Sequence, residues 1–447
     1  MNSLSVIGLG KLGAPMLAVF AGAGFDVIGV DVDESAVDAI NGGQSPVDEP
    51  GVDELLAAHF GRYTAITDTR AAVLTTDATF VIVPTPSGPD GGFTLEYLEP
   101  VCREIGTALR EKDGYHLVSI VSTVMPGQTD QLCEAIEQAS GKTHGQGFGL
   151  CYSPEFIALG SVVRDLQHPD YVLIGATDSK GMYELNAIYR RVVGPGVPIV
   201  LTNRINAEIT KIAQNAFITM KIVFANHLGT LCGAFRGANV DDVTRALGHD
   251  RRIGPHYLRA GTAYGGPCFP RDNKALSTAA ERAGVEFPLA THVDFANTRS
   301  IELLAERVRS SGSGTVGILG LSYKPGTAVC EESASLHLAE YLLGMGRAVI
   351  VYDPLAMDEA RKMLGDSVKY AESAAECIRQ VNVIVVMHPE MQLTTSLLDG
   401  IVVIDPWRTW YNLACLYTPN DNCTYIPLGI GPQRAAQGLL SAGGGSC

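Results

Sequence analysis

Several features are scarce or missing in this chain, and each absence removes a class of function. None of the ten cysteines, at 102, 133, 151, 232, 268, 330, 377, 415, 423 and 447, belongs to a Cys-x-x-Cys pair. That spacing is the one zinc sites and redox dithiols use, so we expect no metal site and reduced thiols in a cytoplasmic chain. No cluster of Lys and Arg forms a nucleic-acid footprint, and a formal net charge of −15 would repel a phosphate backbone. No apolar run reaches the roughly 18 residues of a membrane span. The opening Met1–Gly10 has no basic region ahead of its apolar stretch, so no secretory leader is expected there. An anionic small substrate is still compatible with the charge, provided a few placed cations or helix N-termini meet it locally.

What is present is the composition of a globular protein, 46% apolar and 18% charged over 447 residues. The length calls for more than one core. Strand-like and helix-like stretches alternate at first. Strands are expected at Ser5–Leu9, Asp26–Val30, Phe80–Val83, Leu117–Val121, Gly149–Tyr152 and Tyr171–Ile174. Helices are expected at Leu12–Ala23, Leu95–Leu109 and Gln128–Gln138. Alternation of this kind reads as a parallel sheet covered by helices. After Pro198 a long apolar helix is expected over Ala207–Phe235, then two or three more helices to about Arg309. Strands return at Thr315–Leu319, Ala348–Tyr352, Val383–Val386 and Ile401–Ile404. The expected fold is α/β: two Rossmann-like parallel-sheet domains, residues 1–200 and 311–447, joined by a long central helix and a helical middle, residues 201–310. A tail from about Arg434 is expected to fray.

Gly8, Gly10 and Gly13 form a G-x-G-x-x-G run between the first strand and the first helix, and Asp31 ends the next strand. Such glycines let a backbone approach a pyrophosphate at a helix N-terminus, and the acid suits a ribose 2′-hydroxyl. The alternative is a glycine-rich turn beside an ordinary exposed Asp. Asp31 and Asp33 would repel a 2′-phosphate, which favours NAD over NADP. Lys11 in that loop is unusual, and a solvated side chain would also explain it.

Five further segments could carry chemistry. Val83-Pro84-Thr85-Pro86 and Ser122-Thr123-Val124-Met125-Pro126-Gly127 end two strands, where open parallel sheets bind ligands, although plain turn chemistry explains both equally well. Ser153-Pro154-Glu155-Phe156 follows a third strand, with Glu155 either functional or a solvated turn residue. Lys211 and Asn215, at i and i+4, share a face of the long helix; a snorkelling Lys and a surface Asn have the same spacing. Cys268 lies in the Gly/Pro-rich run from Tyr264 to Asp272, poorly placed for a core residue, yet a single Cys can simply be inert.

Taken in order, Gly8-Leu9-Gly10-Lys11-Leu12-Gly13, Val83–Pro86, Ser122–Gly127, Ser153–Phe156, Ala207-Glu208 with Lys211 and Asn215, Arg252-Ile253-Gly254 and Gly265–Asp272 resemble the UDP-glucose/GDP-mannose dehydrogenase family over residues 1 to about 410. The resemblance implies NAD-dependent oxidation of the C6 alcohol of a nucleotide-activated hexose to a carboxylate, in polysaccharide biosynthesis. It implies Cys268 as nucleophile, with Lys211, Asn215 and Asp272 handling oxyanion and water, and Thr123 and Glu155 serving hydrolysis. Gly8, Gly10, Lys11, Leu12, Gly13, Asp31, Thr85, Thr123 and Arg271 would hold NAD. The nucleotide sugar would meet Glu155, Phe156, Leu159, Lys211, Asn215, Tyr257, Leu258, Arg259, Gly261, Gly265 and Lys324. Arg252 would reach the sugar across a homodimer built on the central helix.

Three positions depart from the family pattern. Leu159 stands where a second Glu is usual, Glu331 where an arginine normally touches NAD, and Lys11 where an aromatic is usual. UDP-glucose is the first expectation for the substrate, with a UDP-N-acetylhexosamine or GDP-mannose behind it. A two-electron hydroxyacid dehydrogenase would need neither Cys268 nor the second Rossmann-like domain. A non-catalytic sugar-nucleotide sensor would not need the cysteine, lysine, asparagine and aspartate together.

Overall fold

In the computed structural model, which describes residues 1–411 and 422–432, the chain divides into two compact units. The first comprises Met1–Gln214 and Lys274–Glu286, the second Asn215–Asn273 and Phe287–Cys447. The tail expected to fray from Arg434 lies outside the described residues.

The first unit holds an eight-stranded sheet: β1 (Ser3–Ile7), β2 (Asp26–Val30), β3 (Tyr63–Ile66), β4 (Ala78–Val81), β5 (His116–Ile120), β6 (Phe148–Tyr152), β7 (Val172–Ala176) and β8 (Ile199–Thr202). Their order is β3-β2-β1-β4-β5-β6-β7-β8. Strands β4 to β7 are buried along their whole length, as expected of a parallel sheet covered on both faces. Helix Gly13–Gly22 is apolar on every side and almost wholly buried, pressed on a core that includes Leu4, Leu17, Phe20 and Phe80. Strand order reverses between β1 and β4, which opens a crevice at their C-terminal ends.

The expected all-parallel pattern breaks at one place. β6 and β7 pair antiparallel, through Cys151–Ala176 and Tyr152–Gly175. The helix between them, Val162–Gln167, has only 6 residues.

The second unit has a six-stranded, wholly parallel sheet: β9 (Val316–Leu319), β10 (Val349–Tyr352), β11 (Lys369–Tyr370), β12 (Val383–Val386), β13 (Val402–Asp405) and β14 (Thr424–Pro427). Its order is β11-β10-β9-β12-β13-β14, again with the reversal beside the first strand. Ile318, Leu338, Val351 and Val385 lie in its core.

The long central helix spans Arg204–Ala234, and helices Val240–Gly248, Phe269–Arg282 and Pro288–Ser311 follow it. Among the described residues it is the one helix long and apolar enough to cross a membrane by length and mean hydropathy. Lys211, Asn215, Lys221 and Asn226 interrupt it, and both asparagines are buried.

Candidate active site

The glycine loop is shaped by contacts that admit no side chain. A Cβ on Gly8, whose φ is +95°, would lie 2.0 Å from the carbonyl oxygen of Ile82, and one on Gly13 would lie 1.7 Å from that of Gly8. Gly10 has no neighbour within 4 Å, so the loop is open on that side. The helix beginning at Gly13 has no side-chain cap and no acid in its first turn, which leaves its N-terminal amides directed at the opening. The Asp31 carboxylate accepts from Leu9 N at 2.6 Å and from Asp33 N at 3.0 Å, which fixes it beside the loop. Asp33 instead caps the next helix through Ser35, whose two hydrogen bonds hold its carboxyl below the usual range. Lys11 is exposed and Leu12 half-buried. An open backbone cradle, an uncapped helix N-terminus and an anchored acid fit the pyrophosphate and ribose of a dinucleotide.

The loops after β4 and β5 are tied together. The Ser122 hydroxyl accepts from Val83 N at 2.9 Å and donates to Val83 O at 2.7 Å, with Thr85 and Thr123 half-buried on either side. Glu208 of the long helix accepts from Gly127 N at 2.6 Å and Thr129 N at 2.8 Å. It occupies the N-terminus of helix Gln128–Ser140, so that end is closed to a ligand.

After β6, Glu155 Oε1 accepts from the Tyr189 hydroxyl at 2.8 Å. Lys211 Nζ donates to the Glu155 backbone oxygen at 2.7 Å and lies 4.8 Å from the centre of the Phe156 ring. Burial pushes the Glu155 carboxyl up to about 7, against the Tyr189 hydrogen bond and the Lys211 charge that pull it down. A carboxyl poised there can take and return a proton near neutral pH. Leu159 packs on the apolar core of the first unit.

In the second unit, Cys268 is exposed just before helix Phe269–Arg282. Asp272 N donates to Cys268 O at 2.8 Å, and the buried Asp272 carboxylate accepts from Asn215 Nδ2 at 2.6 Å. The loop before the cysteine is seated by close backbone contact. Gly266 N donates to Glu331 O at 3.0 Å, a Cβ on Gly265 would lie 2.0 Å from Glu332 O, and one on Gly266 would lie 2.5 Å from the Tyr323 ring. Burial, with the Cys268 charge added, pushes Tyr323 up to about 12. Tyr264 is held by helix Pro288–Ser311: Asn297 accepts from its N–H at 3.0 Å and donates to its carbonyl at 2.9 Å, and its hydroxyl donates to Asp294.

The remaining expected residues also fall in this unit. Tyr257 is exposed with φ 59°, and its ring meets that of Phe269 edge-on. Leu258 is buried, and Arg259 lies over Trp407. Gly261 N donates to Asn226 Oδ1 at 2.8 Å, and Gly261 walls a cavity of about 400 Å³ with Asn226, Gly229, Ser300, Met387 and Arg408. Lys324 and Arg271 are half-buried. Arg252 is exposed and paired with Asp250 at 2.6 Å, apart from the cysteine loop in sequence and in its contacts. Thus Glu155, Phe156 and Lys211 meet in one unit, Asn215, Asp272 and Cys268 in the other, with Lys211 and Asn215 a single turn apart on one helix. Sequence reasoning gave no role to Tyr189, Glu208, Tyr323 or Asp294: Glu208 lies in the Ala207–Asn215 motif and Tyr323 beside Lys324, whereas Tyr189 and Asp294 lie in no motif.

Residues 2–193 match the NAD binding domain of the UDP-glucose/GDP-mannose dehydrogenase family, residues 205–299 its central domain and residues 317–411 its UDP binding domain. The chain is 38% identical over 382 residues to the UDP-glucose 6-dehydrogenase AglM of Haloferax volcanii, covering 84% of this chain and 88% of that one. It is 36% identical over 375 residues to a GDP-mannose 6-dehydrogenase of Pseudomonas aeruginosa, covering 83% and 85%. The solved structure of a UDP-glucose dehydrogenase from Pyrobaculum islandicum superposes with a TM-score of 0.84 at 34% identity, covering 96% of this chain and 98% of that one. The cofactor is NAD, in keeping with the open glycine loop and the anchored Asp31. With all three domains matched in order, the chain belongs to the UDP-glucose/GDP-mannose dehydrogenase family of nucleotide-sugar 6-dehydrogenases.

Proposed function

We propose that the chain oxidises the C6 alcohol of UDP-glucose to the carboxylate of UDP-glucuronate through a thioester on Cys268. The observation that carries this reading is the exposed cysteine at a helix N-terminus, followed one turn later by a buried aspartate that an asparagine of the long helix holds. NAD, when bound, takes up the hydride in each of two oxidations. The chain's own residues do the rest. The alcohol proton leaves to a bound water beside Asp272 as the carbon is oxidised. The Cys268 sulfur adds to the aldehyde carbon, the carbonyl electrons move to oxygen, and a thiohemiacetal results. Lys211 and the second amide hydrogen of Asn215 serve as donors to that oxygen. Oxidation of the thiohemiacetal yields the thioester. Glu155, with Thr123 orienting the water, takes a proton from the attacking water; the carbon–sulfur bond then breaks and the thiolate departs.

NAD contacts are ascribed to Gly8, Gly10, Lys11, Leu12, Gly13, Asp31, Thr85, Thr123 and Arg271. Contacts to the nucleotide sugar are ascribed to Phe156, Leu159, Tyr257, Leu258, Arg259, Gly261, Gly265 and Lys324. A homodimer is proposed on the long helix, where Phe217, Phe224 and Leu231 recur every seven residues and are 59%, 52% and 54% exposed. Arg252 would then complete the partner's sugar site.

The second reading is GDP-mannose as substrate, favoured by the 36% identity to the Pseudomonas aeruginosa enzyme. Values of kcat/KM for UDP-glucose, GDP-mannose and UDP-N-acetylhexosamines test the choice. UDP-glucose should exceed the others by about tenfold or more. A higher value for GDP-mannose overturns the assignment of the base and hexose while leaving the cysteine chemistry standing.

A further inference from the structure

Glu155 is the end of a buried hydrogen-bond chain. Its Oε1 lies 2.8 Å from the Tyr189 hydroxyl, which lies 3.0 Å from Ser153 Oγ, which lies 2.9 Å from the carbonyl oxygen of Leu173. Tyr189 is 3% exposed and Ser153 1% exposed, so water does not compete for these hydrogens. Each hydroxyl carries one hydrogen, and with the carboxyl proton carried on Oε1 that count permits two complete arrangements. With Glu155 ionised, Ser153 donates to Tyr189 and Tyr189 donates to the carboxylate. With Glu155 protonated, the carboxyl donates to Tyr189, Tyr189 to Ser153, and Ser153 to the Leu173 carbonyl. The two differ by one proton on Glu155 and by rotation of two hydroxyl groups. No heavy atom moves.

We propose that Tyr189, backed by Ser153, is a positioning residue that seats Glu155 in both its protonated and its ionised state, so that it can accept and return a proton without leaving its place. This rests on the reading of Glu155 as the hydrolytic base. The other titratable groups facing the chain are Lys211, from the long helix, and Cys151, on β6 beside Tyr189. Burial and the Glu155 charge hold Tyr189 well above the ordinary tyrosine range, so it keeps its hydrogen throughout. Burial also holds the Cys151 thiol high and neutral.

The arrangement predicts shifts of opposite sign from two small substitutions. Tyr189→Phe removes the donor to the carboxylate, which raises the Glu155 pKa. Ser153→Ala leaves that donor intact but removes the acceptor that the Tyr189 hydrogen needs when Glu155 is protonated. A buried hydroxyl hydrogen without an acceptor disfavours that state, so the pKa falls. The readout is the decay of the Cys268 thioester in single turnovers from pH 5 to 9. The acid limb should move up by about one pH unit in Tyr189→Phe and down by about half a unit in Ser153→Ala. Shifts of the same sign, or none, overturn the proposal, and if either variant does not fold the sign of the other decides. Glu155→Gln separates the two layers. Undiminished thioester decay in that variant removes the base itself. A lost acid limb in that variant, with both other variants at the wild-type pH, removes only the role of Tyr189.

Discussion

Replacing Lys211 with methionine keeps the aliphatic stem and removes the charge. Two kinds of interaction are lost, and they report on different quantities. The first kind is local. Lys211 Nζ donates to Glu155 O at 2.7 Å and lies 4.8 Å from the Phe156 ring centre. A charge-assisted bond of that type contributes about 1.5–3 kcal/mol and a cation–π contact about 0.5–1 kcal/mol. Both exist before and after reaction, so their loss lowers the unfolding temperature and leaves the barrier alone. The second kind is the proposed donation to the developing oxyanion. Loss of one such donor costs about 3–4 kcal/mol of barrier, a fall in kcat of about 10²–10³. A third effect follows from charge. Lys211 pulls the Glu155 carboxyl down against burial, so without it the carboxyl rises above about 7 and the acid limb of the kcat profile moves to higher pH. The assay is kcat and KM from pH 5.5 to 9, with thermal unfolding alongside. A lowered unfolding temperature with kcat within about threefold of wild type, and an unmoved limb, would refute the oxyanion role and leave Lys211 as a tether for the Ser153–Phe156 segment.

Lys11→Ala should weaken NAD binding about fivefold to tenfold at low salt, because a partly exposed cation–phosphate contact contributes roughly 1 kcal/mol. Titrations at two salt concentrations check it; nucleotide-sugar affinity should hold, and unchanged NAD affinity would mark Lys11 as merely solvated. His116 is fully buried between Thr79 and Lys112, and burial depresses it to about 3. Its unfolded-state value is higher, so its contribution is complete above about pH 6.5 and is lost as the pH falls toward 3, about 2 kcal/mol of it by pH 5. Urea unfolding at pH 7, 6 and 5 should show that slope in the wild type and a flatter one in His116→Gln; parallel slopes would contradict it. Phe224→Glu, on the exposed stripe of the long helix, should convert the proposed dimer to monomers in light scattering, whereas an unchanged mass would place the interface elsewhere.

Local chemistry was legible in the sequence because local spacing encodes it. Gly8 and Gly13 must be glycine because backbone oxygen lies 2.0 and 1.7 Å from a would-be Cβ, Gly10 lies open, and the register of all three with β1 and the first helix is visible by counting. The buried strands β4 to β7 announce themselves as largely apolar runs. Edge strands did not. β3 alternates buried and exposed residues over four positions, and β8 buries none fully, so neither carries the apolar run of a central strand. The antiparallel step from β6 to β7 is a matter of which way a strand runs against its neighbour, which the periodicity of either strand does not encode. The site divides along the same line. Glu155 could be singled out from its motif, but Tyr189 lies 34 positions away on a helix with no signature of its own. Glu208 closes the helix after Gly127 from 81 positions away. Glu331, a departure in the pattern, holds the cysteine loop through its backbone oxygen, a role its side chain does not advertise.

The central claim is that both oxidations take place on one substrate through Cys268. The direct measurement is the number of NADH formed per UDP-glucose consumed, with the sugar limiting and NAD in excess. The thioester account predicts two NADH and one UDP-glucuronate per sugar in the wild type, and a stalled aldehyde or hemiacetal with no steady turnover to the acid in Cys268→Ser. One NADH per sugar in the wild type, or wild-type turnover to the acid in Cys268→Ser, would contradict it.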